Sequence, residues 1–211
     1  PRAELKYRFS ENNSAHISYN RHNQFINLVS ISSVGLPTDF WVPAEKQDRL
    51  AKVYDCREGQ PSVRYLDNNL GIQNDMAYRP AYEAGGAGLA STIDDYAKFT
   101  QMLLNGGTYN GVQILRPATV KFLGGHTLSA VQQAGFDNWI GLEGFSYGNL
   151  MRVLVDPTRA VTLGSKGEFG WLGCYMEVVP EQNMTFLMMT QKKDAGTYTL
   201  SRKIRNIIFS E

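Results

Sequence analysis

Apolar residues recur at helical spacing most clearly between Ile93 and Leu104. Ile93, Ala97, Thr100 and Leu104 share one stripe, widened by Tyr96 and Leu103. That is the 3.6-residue period of a helix with one buried face. Ser91 precedes it as N-cap, with Asp94 three positions on and Asp95 beside it, a capping-box arrangement with acidic charge at the positive end of the helix. Gly106-Gly107 ends the helix. Asn110-Gly111 reads as a tight turn, followed by the short apolar run Ile114-Leu115. Arg116-Pro117 opens a second helix, with proline in its first turn.

A different period governs the C-terminal part. The run after Tyr147, NLMRVLVDP, is β-branched and alternating, as a strand is. Two core strands are expected between Val161 and Gln191. Leu172–Val179 alternates around Tyr175, Pro180 to Asn183 makes a turn, and Met184–Thr190 is nearly all apolar, as in a strand covered on both faces. Thr199–Phe209 returns to helical spacing, with Leu200, Ile204, Ile207 and Ile208 on one stripe. The N-terminal part is less regular. Residues 1–14 read as a loop opening into a helix, and Leu28–Ile31 fits a strand or a frayed helix equally. Pro43 begins a helical segment, and residues 55–84 form a polar excursion with turns at Glu58-Gly59, Asp67-Asn68-Asn69 and Arg79-Pro80.

Composition narrows the class. The chain has 211 residues, 43% hydrophobic and 19% charged, with a net charge of +1. That describes a globular protein with nothing to favour nucleic acid or an anionic membrane. No apolar run reaches the ~18 residues of a membrane span. Cys56 and Cys174 are too few for a disulfide framework. His16, His22 and His126 have no zinc-ligand spacing, so no metal is expected. The residues contain no signal peptide, which favours the cytoplasm, and a start at Pro1 fits processing or truncation.

The order of these signals resembles one family. The stretch GGAGLASTIDDYAKFTQMLLNGGTYNGVQILRPATV, with TDFWVPAEKQDRLAKVY before it and NLMRVLVDP after it, is similar to the serine β-lactamase-like hydrolases. These include class C β-lactamases, family VIII esterases and penicillin-binding-like proteins. The resemblance implies an α+β fold of β-lactamase/transpeptidase type, an antiparallel sheet with helices packed on it. It covers residues 1–211 as a single domain, but only the C-terminal portion of a full member, so the fold is expected to be incomplete. Sheet edges left bare by a missing half would favour self-association.

What the resemblance implies for chemistry is specific. Family members hydrolyse an ester, an amide or a β-lactam through a serine acyl-enzyme, with no metal or organic cofactor. The nucleophile sits in S-x-x-K, where a spacing of three lets the lysine take the serine's proton. No serine of these 211 residues has lysine three positions on. The family's catalytic tyrosine aligns with Phe9, which has no hydroxyl to relay a proton. A two-residue slip would bring Tyr7 there. Ser10 follows Phe9, and Asn12 is a candidate amide donor to the site. The run GSKGEFGWLG resembles the family's third motif, a strand edge that lies along the substrate. It is shorter here, which leaves its register open around Phe169, Gly170 and Trp171. Lys166 is the nearby cation that could stand for the third-motif lysine. A solvated loop lysine is the plainer reading.

Gly144-Phe145-Ser146-Tyr147-Gly148 also matches G-x-S-x-G, the nucleophile elbow of another hydrolase class. That elbow needs a helix after the serine and a later histidine. A strand pattern follows instead, and no histidine follows Ser146. The sequence therefore supports two readings: a β-lactamase-related serine hydrolase whose nucleophile is not in this chain, or a non-catalytic binding or assembly module on the same fold.

Overall fold

The computed structural model describes residues 3–10, 13–19, 39–57, 59–68, 75–84, 88–139, 141–171, 175–193 and 197–210, with backbone alone for 3–10, 13–19 and 197–199. By contacts the chain forms two compact units, residues 1–50 with 67–91 and residues 51–66 with 92–211.

In the first unit, β1 (Ala3–Ser10) pairs antiparallel with β2 (Asn13–Tyr19). This corrects the expectation of a loop opening into a helix. The signal was a strict period of two: Ala3, Leu5, Tyr7 and Phe9 alternate with Glu4, Lys6, Arg8 and Ser10. The register sets Leu5 opposite Ile17 and Tyr7 opposite Ala15, so apolar positions meet across the pair. A 3-10 turn, Ala44–Arg49, follows Pro43 as the proline suggests. Asp39 bridges to Ala90, and the Val42 N–H donates to the Met76 carbonyl at 2.7 Å.

The second unit is built on a five-stranded antiparallel sheet. Its strands are β7 (Phe145–Gly148), β8 (Met151–Leu154), β9 (Phe169–Trp171), β10 (Tyr175–Val179) and β11 (Met184–Met188), in the order β11-β10-β9-β8-β7. A short three-stranded sheet and a two-stranded hairpin accompany it. β3 (Tyr54–Asp55) lies between β4 (Val63–Arg64) and β12 (Lys192–Lys193). β5 (Thr108–Tyr109) and β6 (Val112–Gln113) form the hairpin that Asn110-Gly111 announces, with φ of 48° and 78° at the two turn residues.

The helices are α1 (Ile93–Leu104), α2 (Pro117–Gly125), α3 (Ala130–Phe136) and α4 (Thr197–Ile208). The N-cap of α1 is Thr92, not Ser91. Thr92 Oγ1 accepts from the Asp95 N–H at 3.2 Å and donates to Asp95 Oδ2 at 2.6 Å. Asp95 also pairs with Lys98 at 2.6 Å, so its carboxylate fixes the cap that Asp94 was expected to make. The helix α3 went unread in the sequence, although its capping box, Ser129 with Gln132, is a legible start signal.

The two faces of the sheet differ in kind. On one, Val153, Phe169, Met176 and Val178 pack with Met102 and Leu103 of α1 and Val120 of α2. This is an apolar core. The alternate residues of β8 and β10 point the other way, and there the core is ionic. Arg152 Nη2 donates to Glu177 Oε1 at 2.6 Å and to the Tyr175 hydroxyl. Arg205, from α4, donates through Nη1 to Glu177 Oε2, and through Nη2 to Glu168 Oε1 at 2.6 Å and to the Leu163 carbonyl at 2.8 Å. All four charged side chains are at least 97% buried. Burial pushes the Glu168 carboxyl above its ordinary range, while Arg205 and the Ser165 N–H pull it back.

This part of the chain departs from the sequence expectation in three ways. The helix α4 was read as burying Leu200, Ile204, Ile207 and Ile208, yet it seats Ser201 and Arg205, each 1% exposed. Leu200 is 50% exposed and Ile207 66%. The expected doubly covered strand 184–190 is the edge strand β11, mostly half-buried. β10, one strand further in, is buried at every position, Glu177 included. Three strands, not two, occupy 161–191.

Breaking a buried ion pair from one side leaves an uncompensated charge, at a cost of about 3–5 kcal/mol. Replacing Glu177 by Gln is expected to lower the free energy of unfolding by that amount, read as a lower denaturant midpoint with an unchanged slope. A loss under about 1 kcal/mol would mean that the cluster is held by something other than its charges.

Candidate functional site

The third-motif strand β9 sits in the middle of the sheet, paired with β8 on one side and β10 on the other. Its three residues serve different ends. Phe169 points into the apolar core, where its ring lies against Gly124 so closely that a Cβ there would come within 2.6 Å. Gly170 is required by the close approach of β10, since a Cβ would stand 1.8 Å from the Met176 carbonyl oxygen. Trp171 alone of the three has a half-exposed side chain. Pairing of β8 with β9 ends at Gly170, so the edge of Trp171 toward β8 is not taken up by that ladder.

An aromatic row runs from this point. The ring of Trp171 meets Tyr147 of β7 edge-on at 4.8 Å, Tyr147 lies 6.0 Å from Phe136 of α3, and Phe136 stacks on Trp139 at 6.1 Å. Trp139 is 56% exposed. Burial raises the Tyr147 phenol above its ordinary value. Sequence reading passed over this row, and its signal was the density of aromatics from Phe136 to Tyr147.

Ser146 is strand, as expected from the run that follows it. It lies on β7, is 2% exposed, and its Oγ accepts from the Leu128 N–H at 3.0 Å. A strand and a tight turn at Asn149-Leu150 frame it, without the helix an elbow requires. Lys166 stands exposed in the turn before β9, where its charge adds to the lowering of the Asp156 carboxyl, which is due first to the Thr158 hydroxyl. His126 is exposed at the C-terminal end of α2, its ring 5.5 Å from Phe122. Cys56 is a free thiol.

The remaining candidates belong to the first unit. Tyr7 and Ser10 are placed by backbone in β1, opposite Ala15 and Asn13, and Phe9 falls at the register shift between Arg8 and Ser10. His16 lies opposite Lys6 on β2. Asn12, His22 and Cys174 lie outside the described residues. The structure thus brings Phe169, Gly170 and Trp171 together on one strand, with Lys166 in the turn before it. Among the described residues no group of three or more His, Cys, Asp or Glu could hold a metal ion, and no helix is long and apolar enough to cross a membrane.

The tight approach at Gly170 is directly testable. Gly170→Ala is expected to force β9 and β10 apart, lowering the thermal midpoint by several degrees. A midpoint within about 1 °C of the parent would contradict the packing described.

A family model described as Beta-lactamase matches residues 36–207. Two Mycobacterium tuberculosis proteins, Uncharacterized protein MT1414 and Protein Rv1367c, are each 32% identical to the chain over 164 residues, which is 73% of this chain and 39% of theirs. A Putative D-alanyl-D-alanine carboxypeptidase of Escherichia coli K12 is 36% identical over 112 residues, 52% of this chain and 23% of that protein. The chain therefore spans about two-fifths or less of the length of these relatives. Among solved structures, EstCE1, "a hydrolase with promiscuous acyltransferase activity", superposes with a TM-score of 0.64 at 23% identity, over 87% of this chain and 50% of its own. Simvastatin Synthase (LOVD) from Aspergillus terreus, in a mutant form, gives 0.59 at 16% identity, over 79% and 44%. At these identities the structures speak for the fold, β-lactamase/transpeptidase-like with an antiparallel sheet. The matched residues take in every strand of the five-stranded sheet and all of its helices but the last residue of α4, and on that basis this chain belongs to the Beta-lactamase family.

Proposed function

We propose that this chain forms the sheet and third-motif portion of a serine hydrolase that cleaves an ester or amide, β-lactams included, through an acyl-enzyme whose serine lies outside these 211 residues. The observation that carries this reading is the family match over residues 36–207, on a chain with the family's antiparallel sheet. The names of the similar proteins share a theme: a carboxypeptidase cleaves an amide, and a hydrolase with acyltransferase activity moves an acyl group.

The residues present suit part of that chemistry. Acyl transfer needs a nucleophile with a base, donors for the developing oxyanion, and a surface that orients the acyl group. The edge of β9 at Trp171, beyond the end of its ladder with β8, supports the last of these roles. The aromatic row Trp171, Tyr147, Phe136 and Trp139 offers an aromatic wall beside it. Nothing among the described residues supplies the first. Ser146 is buried with its oxygen engaged, and no serine in the sequence has the lysine at three positions that would activate it.

A second reading has its own support. Phe9 stands at the position that resembles the family's catalytic tyrosine, and it has no hydroxyl. A protein that kept the cleft but lost both tyrosine and nucleophile would be a binding or assembly module.

The test is intact mass after incubation with a fluorophosphonate and, in parallel, a β-lactam. The folded 211-residue chain is expected to gain no stoichiometric adduct. An adduct mapped to Ser10 or Ser146 would overturn the assignment of the nucleophile to other residues. A longer protein that contains these residues together with an S-x-x-K serine is expected to take up one acyl group. If such a protein stays unmodified, the binding-module reading replaces the hydrolase.

A further inference from the structure

The ionic face of the sheet leaves one donor unanswered. The guanidinium of Arg152 is held between two rings, 4.6 Å from the centroid of Phe145 and 4.9 Å from that of Tyr175. Its Nη2 serves Glu177 and the Tyr175 hydroxyl. Its Nε is buried and has no acceptor among the described residues. A buried N–H of a charged group without an acceptor is strongly disfavoured, and native interiors answer such groups with protein or with water.

The same arginine lines a cavity of about 10 Å³ between the sheet and α4, with Phe145, Tyr175, Thr162 and Ser201 on its wall. That volume is about what one water molecule needs. The wall supplies further partners. Thr162 Oγ1 accepts from Arg205 Nε at 3.3 Å, and its own O–H proton is left to donate. Ser201, on the buried face of α4, adds a second hydroxyl to the wall.

We propose that one ordered water occupies this cavity, accepting from Arg152 Nε–H and from the Thr162 hydroxyl and donating to Ser201 Oγ, so that it forms a fixed part of the joint between the sheet and α4. Charge argues for water over a small anion. The buried arginines, Arg152 and Arg205, are matched by the buried carboxylates Glu168 and Glu177. These four buried side chains therefore carry no net charge to offset the dehydration of a halide. Arg202, also on the wall, is half-buried.

A crystal structure of the 211-residue chain at a resolution that shows ordered solvent tests this. The expected result is a single peak about 2.7–3.2 Å from Arg152 Nε, unchanged when bromide is added to the crystal. An empty cavity, or a peak that acquires bromide's anomalous signal, would overturn the proposal. Stability gives an independent check through Ser201→Thr, which keeps the hydroxyl and adds a methyl group on the cavity wall. In a hydrated cavity the methyl displaces the water and strands Arg152 Nε, so the thermal midpoint should fall by roughly 2–4 °C. In a dry cavity the methyl fills a void, and an unchanged or raised midpoint would count against the water.

Discussion

The second unit depends on how four buried charges find one another. Arg205 reaches from the C-terminal helix to Glu177 and Glu168, 28 and 37 positions away in the chain, and Arg152 completes the set from β8. In a low-dielectric interior none of these groups is tolerable alone. Together they are neutral and mutually bonded. A pairing of this kind adds little to stability over an apolar core of equal volume, but it is highly intolerant of misplacement. It accounts for a helix that turns Ser201 and Arg205 inward and leaves Leu200 and Ile207 at the surface, an orientation that apolar burial alone would not select. It also locks the strand that follows the turn at Lys166, because Glu168 directly precedes β9.

Much of the fold was legible in local signals. The extent of α1, the glycines after it, the Asn110-Gly111 hairpin and the proline at the start of α2 all stand where they were expected, although Ile93 of the expected stripe is 48% exposed and Met102, outside it, is buried. Each rests on interactions within a few residues, which sequence reports directly. The strand nature of Ser146 was legible for a related reason: the residues after it alternate with period two. The hairpin of β1 and β2 is equally visible in its alternation, in place of the loop and helix expected for residues 1–14.

Other features depended on partners far along the chain. Which face of α4 is buried is decided by carboxylates on β10 and beside β9, so the apolar stripe misled. Strand order, not hydrophobicity, decides that β10 is covered on both faces while the more apolar β11 forms an edge. At the candidate site, the glycine of the third motif was legible as a motif, but its reason, the carbonyl of Met176 against it, belongs to the packed sheet. The row from Trp171 to Trp139 joins residues from a strand, a hairpin and a helix end, and no single period in the sequence links them.

If the ionic cluster is what fixes α4 on the sheet, Glu177 and Arg205 must be energetically coupled. A double-mutant cycle with Glu177→Gln and Arg205→Met, read by denaturant unfolding, measures that coupling directly. The account predicts a coupling of about 1–3 kcal/mol, with the double variant losing less than the sum of the single losses. Additive losses, with a coupling within about 0.3–0.5 kcal/mol of zero, would contradict it.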